Sequence, residues 1–311
     1  MMTPAVTTPA APTSAVTALV VGDVATDVLA RHELPLARGS DTPARVSMLG
    51  GGSGANTAAW LAASGVPTAF VAVVGGDVAG TARVAELTSV GVRVVVRRTD
   101  DAPTGSVVVL SSAGERTMLS DRGANLLLCP ADVDAGLATG ARHLHLSGYT
   151  LLDPPARDAG RYALAAAARA GLTTSVDLAA AAVLRRVGAA AFLSWVRGTD
   201  LLLANSDEAN AVVGDGSPAE LATRLAGWAR HAVVKCGAAG AVWASTSGEI
   251  IEAGAQPASV VDATGAGDAF AAGLLSAWLS GGSPAEALRA GTRAGAAAVT
   301  VVGGRPTPPR R

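Results

Sequence analysis

The chain has 311 residues, half of them hydrophobic, and a formal net charge of −1. That length suits one large domain with a sizeable core, and the balanced charge gives no electrostatic reason to bind nucleic acid or an anionic membrane. Two cysteines, Cys129 and Cys236, make no disulfide framework and fit a reducing cytoplasm, and no run approaches the ~18 apolar residues of a membrane span.

Residues 1–16, MMTPAVTTPAAPTSAV, are rich in Thr, Pro and Ala, carry no basic side chain and read as a disordered tail. TALVVGDVATDVLA (17–30) reads as a first buried strand ending at Gly22-Asp23, and the polar segment 31–47 with its two prolines breaks the rhythm. A helix is expected over 56–64, a strand in PTAFVAVVGGD (67–77) and an amphipathic helix in TARVAELTSVGV. Residues 92–121 hold three strand-like pieces, VRVVVRRTD, TGSVVVLSS and ERTMLSD, with no helix between them. Their half-exposed alternation predicts a small antiparallel sheet, built with 31–47 and lying as a lid over one edge of the main domain. Further strands are expected in ARHLHLSGY, LTTSVDL, TDLLLANSDE and HAVVKCG, with helices at 155–170, 184–196 and 217–230. Strands alternating with helices in about six or seven βα units predict an α/β fold with a parallel sheet covered on both faces.

Two glycine-rich stretches carry chemistry. GGGSGANTAAWLAASG (50–65) contains a G-x-G-x-x-A match at Gly50, Gly52 and Ala55. An NAD-dependent dehydrogenase would place an acidic residue ~20 positions on, and Asp77 is near that spacing, but the match follows an irregular segment and not a strand. Bare backbone there would also let a polar ligand touch amides, with Asn56 bonding hydroxyls. No G-x-x-x-x-G-K-[ST] is present, which excludes a P-loop. At DATGAGDAF (262–270) the preceding apolar run Ala258-Ser259-Val260-Val261, read as a strand, gives way to a glycine turn and a helix. Successive amides without Cβ atoms can converge on an anion at a helix start, and Asp268 in the first turn can serve as a base. An anion site beside a base fits phosphoryl transfer to an alcohol.

These two stretches, in this order, resemble the signatures of the ribokinase-type (PfkB) carbohydrate kinases, and the resemblance covers about residues 17–308. It implies a three-layer α/β/α sandwich with a mostly parallel sheet and a small β-sheet lid. It implies ATP and Mg²⁺ as cofactors, Asp268 as catalytic base, and Gly265, Ala266 and Gly267 as the anion hole for the γ-phosphate. Asp27, Gly51, Gly52 and Asn56 would hold sugar hydroxyls. Asn205 and Glu208, in NSDE, would organise Mg²⁺ and the phosphates through waters. In VVKCGAAGA (233–241), Gly237 and Gly240 would meet the nucleotide, and Lys235 would pair with phosphate or stand as a solvated strand end. Asp262, Thr264, Ala298, Val301, Gly303 and Thr307 match the family's monovalent-cation (K⁺) site.

The lid segments contain no Phe, Tyr or Trp, which favours a sugar over a nucleoside, although Trp60 or Tyr149 offers a stacking surface elsewhere. Ser147 and Gly148 stand where ribokinase-like enzymes place a glutamate, which argues against ribose, and Asp177 resembles the strand-end aspartate of the fructokinase and ketodeoxygluconate kinase branch. Arg116, in GERTM, would reach an acidic or phosphorylated sugar, and the other arginines nearby, Arg122 among them, read as exposed lid faces. The reading is an ATP-dependent kinase of a small sugar or sugar acid, with a nucleoside kinase as the alternative. A catalytically silent sugar-binding regulator fits less well with an intact Asp268. The implied partners are the sugar, ATP and a second copy joined through the lid.

Overall fold

The computed structural model describes residues 15–112 and 115–306, without the side chains of Glu115 and Arg116. Residues 1–14 of the expected tail lie outside this range, and Val16 is already buried in the core. The strands, in chain order, are β1 (Ala18–Val21), β2 (Ala25–Arg31), β3 (Arg45–Gly51), β4 (Thr68–Gly75), β5 (Arg93–Thr99), β6 (Gly105–Ser112), β7 (Glu115–Asp121), β8 (His143–Ser147), β9 (Thr173–Asp177), β10 (Leu201–Asn205), β11 (His231–Lys235), β12 (Ala241–Ser245) and β13 (Ile250–Ala253).

Nine of them form one sheet in the order β13-β12-β11-β10-β9-β8-β1-β4-β5. From β11 to β5 every pairing is parallel, while β12 and β13 add antiparallel strands at one edge. Successive side chains of one strand point to opposite faces, so Val21 joins the layer of Leu146 and Phe192, and Val20 joins that of Phe70, Trp243 and Leu275. Helices cover both faces, as expected of a sheet whose inner strands are apolar throughout. The second sheet has the order β3-β2-β6-β7.

Several expectations change at this second sheet. The first strand ends at Gly22-Asp23 as expected, leaving β1 in the large sheet, but the rest of the segment forms a strand of its own, β2, which belongs to the small sheet. The small sheet is mixed, because β2 pairs parallel with β6 while β2–β3 and β6–β7 are antiparallel. β5 belongs to the large sheet, parallel to β4. Its Arg/Val alternation reflects an edge strand whose valines pack on the core while Arg97 pairs with Asp132 at 2.7 Å.

The helices fall close to their expected places, at Ser53–Ala63, Val78–Ser89, Arg157–Arg169 and Pro218–Ala226. The expected helix 184–196 is divided at Gly188 (φ 94°) into Ala181–Val187 and Ala189–Val196. Asp77 caps Val78–Ser89 through the Gly80 N–H and also binds the N–H and hydroxyl of Thr104. Those bonds occupy the carboxylate that a dinucleotide ribose would need, and the dehydrogenase reading loses its acidic residue. Among the described residues no helix is long and apolar enough to cross a membrane.

Candidate active site

The C-terminal ends of the parallel strands face the glycine turn that opens the helix Ala266–Leu279. This is the edge where open α/β sheets bind ligands. The strand expected just before that turn is absent: residues 254–260 are irregular, and β13 ends at Ala253. Gly265 lies before the first helical residue with φ 73°, and a Cβ there would fall 2.4 Å from the Gly304 Cα. No side chain fits either the conformation or the space, so the turn requires glycine. The first N–H groups of the helix have no intrahelical acceptor and sit at its positive end, where an anion is favoured.

Asp268, in this first turn, is held by the other glycine-rich motif. Its Oδ1 accepts from Ser53 Oγ at 2.8 Å and its Oδ2 from Asn56 Nδ2 at 2.9 Å. Both donors sit on the helix Ser53–Ala63, which therefore joins the two sequence signatures. Burial pushes the Asp268 carboxyl up to about 7, with nearby Asp177 adding to the effect and Asn56, Ser53 and Lys235 opposing it.

Asp268 lies in the wall of a polar cavity of about 360 Å³, with Asp27, Gly52, Ser53, Asn56, Arg122 and Tyr149 among its lining residues. Val107, Val109, Met118 and Ser120 of the small sheet close one side. Asp27 is buried on β2, and burial raises its carboxyl to about 6, with Arg305 opposing the rise. A Cβ on Gly51 would fall 2.0 Å from Asp27 Oδ1, so the glycine beside it on β3 lets that carboxylate lie flat against the backbone. Asp23, given no role in the sequence reading, and Arg122, placed elsewhere by it, complete this end. Asp23 accepts from the N–H groups of Ser53 (3.2 Å) and Gly54 (3.1 Å) and from Ser147 Oγ (2.9 Å). Burial works against its charge, yet Arg122 and these bonds hold it below the usual carboxylate range. Arg122, expected on an exposed face, instead pairs with Asp153 at 2.7 Å and Asp23 at 3.4 Å and lies 4.5 Å over the Tyr149 ring. Arg116 lies on β7, where its backbone pairs with Ser111 of β6, and its side chain lies outside the described part.

A second cavity of about 580 Å³ shares Lys235, Gly237 and Gly267 with the first. It is mostly apolar, lined by residues such as Pro257, Val260, Phe270 and Val299. Gly237 and Gly240 border it, but a Cβ on Gly240 would strike the Ala253 carbonyl at 2.0 Å, so that glycine serves the β12–β13 edge first. Lys235, the chain's one lysine, is not a solvated strand end. Its Nζ donates to Asp177 Oδ2 at 2.6 Å, and although burial favours the neutral amine, Asp177, Glu208 and Asp268 together raise its pKa. Glu208 is buried at the start of the helix Ser206–Val213, where both its oxygens accept from Asn205, the backbone N–H and Nδ2 each at 2.8 Å. Burial raises Glu208 to about 7, with Lys235 opposing.

Asp262 ties the turn to the chain's last described stretch, accepting from the Thr264 N–H at 2.9 Å and the Gly303 N–H at 3.0 Å. The Val301 N–H donates to the Ala298 carbonyl at 3.3 Å, so five of the six residues matched to a K⁺ site gather here. Thr307 lies outside the described residues.

The family described as pfkB family carbohydrate kinase matches residues 17–311. An ATP-dependent ribose-1-phosphate kinase from Halopiger xanaduensis is 31% identical over 298 residues, covering 93% of this chain and 94% of that protein. A ribokinase from Arabidopsis thaliana is 29% identical, covering 94% of this chain and 78% of that protein. The crystal structure of adenosine kinase from Sinorhizobium meliloti matches with a TM-score of 0.85 at 27% identity, covering 94% of this chain and 96% of that one. The chain belongs to the pfkB family of carbohydrate kinases.

Proposed function

We propose that the protein transfers the γ-phosphate of ATP to a hydroxyl of a small sugar or sugar acid. The observation that carries this reading is the position of Asp268, a half-buried carboxylate in the wall of the polar cavity, beside the glycine turn where an apolar cavity begins. The polar cavity takes the sugar, with Asp27, Asn56 and the amides near Gly51 and Gly52 meeting its hydroxyls. The apolar cavity takes the nucleotide, with adenine against its aliphatic walls and the phosphates toward Lys235 and residues 265–267. When bound, ATP supplies the phosphoryl group and Mg²⁺ draws charge from its phosphates. Asp268 orients the acceptor hydroxyl and takes its proton, while the amides of Gly265, Ala266 and Gly267 stabilise charge on the transferred group.

Each Glu208 oxygen is oriented by a bond from Asn205 and keeps a lone pair, which suits a role toward Mg²⁺ through water. Glu208→Gln keeps the bond from the Asn205 backbone N–H, gives up the one from Asn205 Nδ2 and removes the charge. It is expected to raise the Mg²⁺ concentration for half-maximal rate by about tenfold with the sugar KM little changed. An unchanged Mg²⁺ titration would reduce Asn205 and Glu208 to a helix cap. K⁺ is assigned to the carbonyl-rich turn at 298–303 beside Asp262.

Residues 17–308 are read as one kinase domain, with the β3-β2-β6-β7 sheet as its lid. The lid's outer face carries Val46, Met48 and Leu119, which are 64%, 72% and 59% exposed, and this apolar face suits a second copy of the chain. Unpaired Cys129 and Cys236 suit the cytoplasm.

The nucleoside alternative has one argument, the adenosine kinase likeness. Against it, Tyr149 is the one aromatic residue lining the polar cavity, and a guanidinium already covers one face of its ring. An ADP-release screen over pentoses, hexoses, sugar acids, sugar phosphates and nucleosides decides the matter. Turnover is expected with a sugar, sugar acid or sugar phosphate. Turnover with nucleosides alone would replace this reading by the alternative.

A further inference from the structure

We infer that Arg305 is a positioning residue for the reaction: it fixes the side-chain amide of Asn56 so that the NH₂ group faces Asp268, and so presents the base in one orientation. The inference rests on Asp268 being the base.

Asn56 stands between two groups of opposite hydrogen-bonding character. Its Oδ1 accepts from Arg305 Nε at 3.3 Å, and its Nδ2 donates to Asp268 Oδ2 at 2.9 Å. A guanidinium has only donors and a carboxylate only acceptors, so a flipped amide would set NH₂ against Nε–H and oxygen against oxygen. Without the guanidinium, the first of those penalties vanishes and the amide is held from the Asp268 side alone, so its orientation loosens. Arg305 is itself held firmly. It is 12% exposed, pairs with Glu86 at 2.9 Å and donates to the Gly51 carbonyl at 2.9 Å. Glu86 in turn pairs with Arg83, which donates to the Leu49 carbonyl. Burial pulls the Arg305 guanidinium down to about 10, still cationic at neutral pH, with Glu86 opposing the fall.

The residue before it completes the clamp. Gly304 touches both motifs: a Cβ there would fall 2.4 Å from Asn56 Nδ2, and one on Gly265 would fall 2.4 Å from Gly304 Cα. Trp60 Nε1 donates to the Gly304 carbonyl at 3.0 Å and holds the strap against the helix that carries Asn56. The strap 303–305 thus sets the base and the anion-binding turn in one frame.

The donor from Asn56 favours the charged form of Asp268, so its loss moves the acid limb of the rate profile upward. The other charged or titratable groups facing Asp268 are Asp177 at the end of β9, Lys235 at the end of β11 and Tyr149 after β8. None of these is altered in the variants below.

The test is the pH dependence of kcat at saturating sugar, which leaves out the effect of Arg305 on Asp27 and the sugar KM, in the full chain carrying Arg305→Ala or Arg305→Lys. A lysine keeps the charge opposite Glu86 but one ammonium cannot span Glu86, the Gly51 carbonyl and Asn56 as the planar fork does. Both variants are expected to shift the acid limb upward by about one pH unit, so that activity at pH 6 falls about tenfold more than at pH 9, with the ATP KM little changed. If Arg305→Ala does not fold, the lysine variant decides. A folded variant with the wild-type limb overturns the inference, and a loss equal at all pH values assigns Arg305 to structure alone and overturns it too. Asp268→Asn, measured in parallel, separates the two claims. Its inactivity beside an unshifted Arg305 profile removes only the clamp, and its full activity removes the base and the clamp together.

Discussion

Asp268→Asn is expected to lose on the order of 10²- to 10⁴-fold in kcat while ATP binding survives, because an amide cannot take the proton of the acceptor hydroxyl. The fold tolerates the change, since Ser53 can turn its hydroxyl from donor to acceptor when the amide replaces the carboxylate. The wild-type rate carries a matching pH signature. Asp268 acts as a base only when deprotonated, and burial raises its carboxyl to about 7, so kcat/KM is expected to climb as pH rises through that value. Stability moves the other way. The folded state binds this proton more tightly than the unfolded chain, so its contribution is fully present below about pH 4 and is lost as pH rises toward 7. Asparagine carries no such cost, and the variant is expected to melt above the wild type at pH 8, with the gap narrowing at pH 5. Near-normal kcat would remove Asp268 from the base role, and a lower melting temperature at pH 8 would contradict the buried-charge account.

Asp27→Ala is expected to act on the sugar side alone. The carboxylate is buried on β2 and faces the polar cavity, where it can accept from sugar hydroxyls. Hydrogen bonds to a charged group contribute about 1.5–3 kcal/mol, so the sugar KM is expected to rise about 10- to 100-fold. Burial sets the Asp27 carboxyl at about 6, so the wild-type sugar KM is also expected to rise as pH falls through that value. Steady-state kinetics with sugar and ATP varied separately check both. A change in the ATP KM with the sugar KM unaltered would show that the two cavities are assigned the wrong way round.

The large sheet was legible because its inner strands are short apolar runs separated by helical patterns, and each strand from β8 to β11 falls inside its predicted segment. The small sheet was harder. β2 follows β1 after three residues, and although the end of β1 at Gly22-Asp23 was legible, the mixed pattern ATDVLAR after it carries no mark of a second sheet. β5 looked like a lid strand because an edge strand and a half-exposed lid strand share the same alternation. The two glycine signatures were legible from residue type alone, and the structure joins them through Ser53 and Asn56 on Asp268. Arg122 and Arg305 were not. Each is drawn half-buried by partners far away in sequence, such as Asp23 for Arg122 and Glu86 for Arg305, and an arginine whose counter-ion is 99 or 219 positions distant reads as surface until the chain is folded. Lys235 was left between two roles for the same reason, since its partner Asp177 stands two strands away in the sheet.

The most direct test of the account is a crystal structure of the full chain with its accepted sugar and a non-hydrolysable ATP analogue. The account predicts the acceptor hydroxyl within ~2.6–3.2 Å of the Asp268 carboxylate. It also predicts the terminal phosphate at the amides of 265–267 and adenine against Phe270 and Val260. A hydroxyl turned away from Asp268, or a nucleotide seated in the cavity of Asp27 and Arg122, would contradict it.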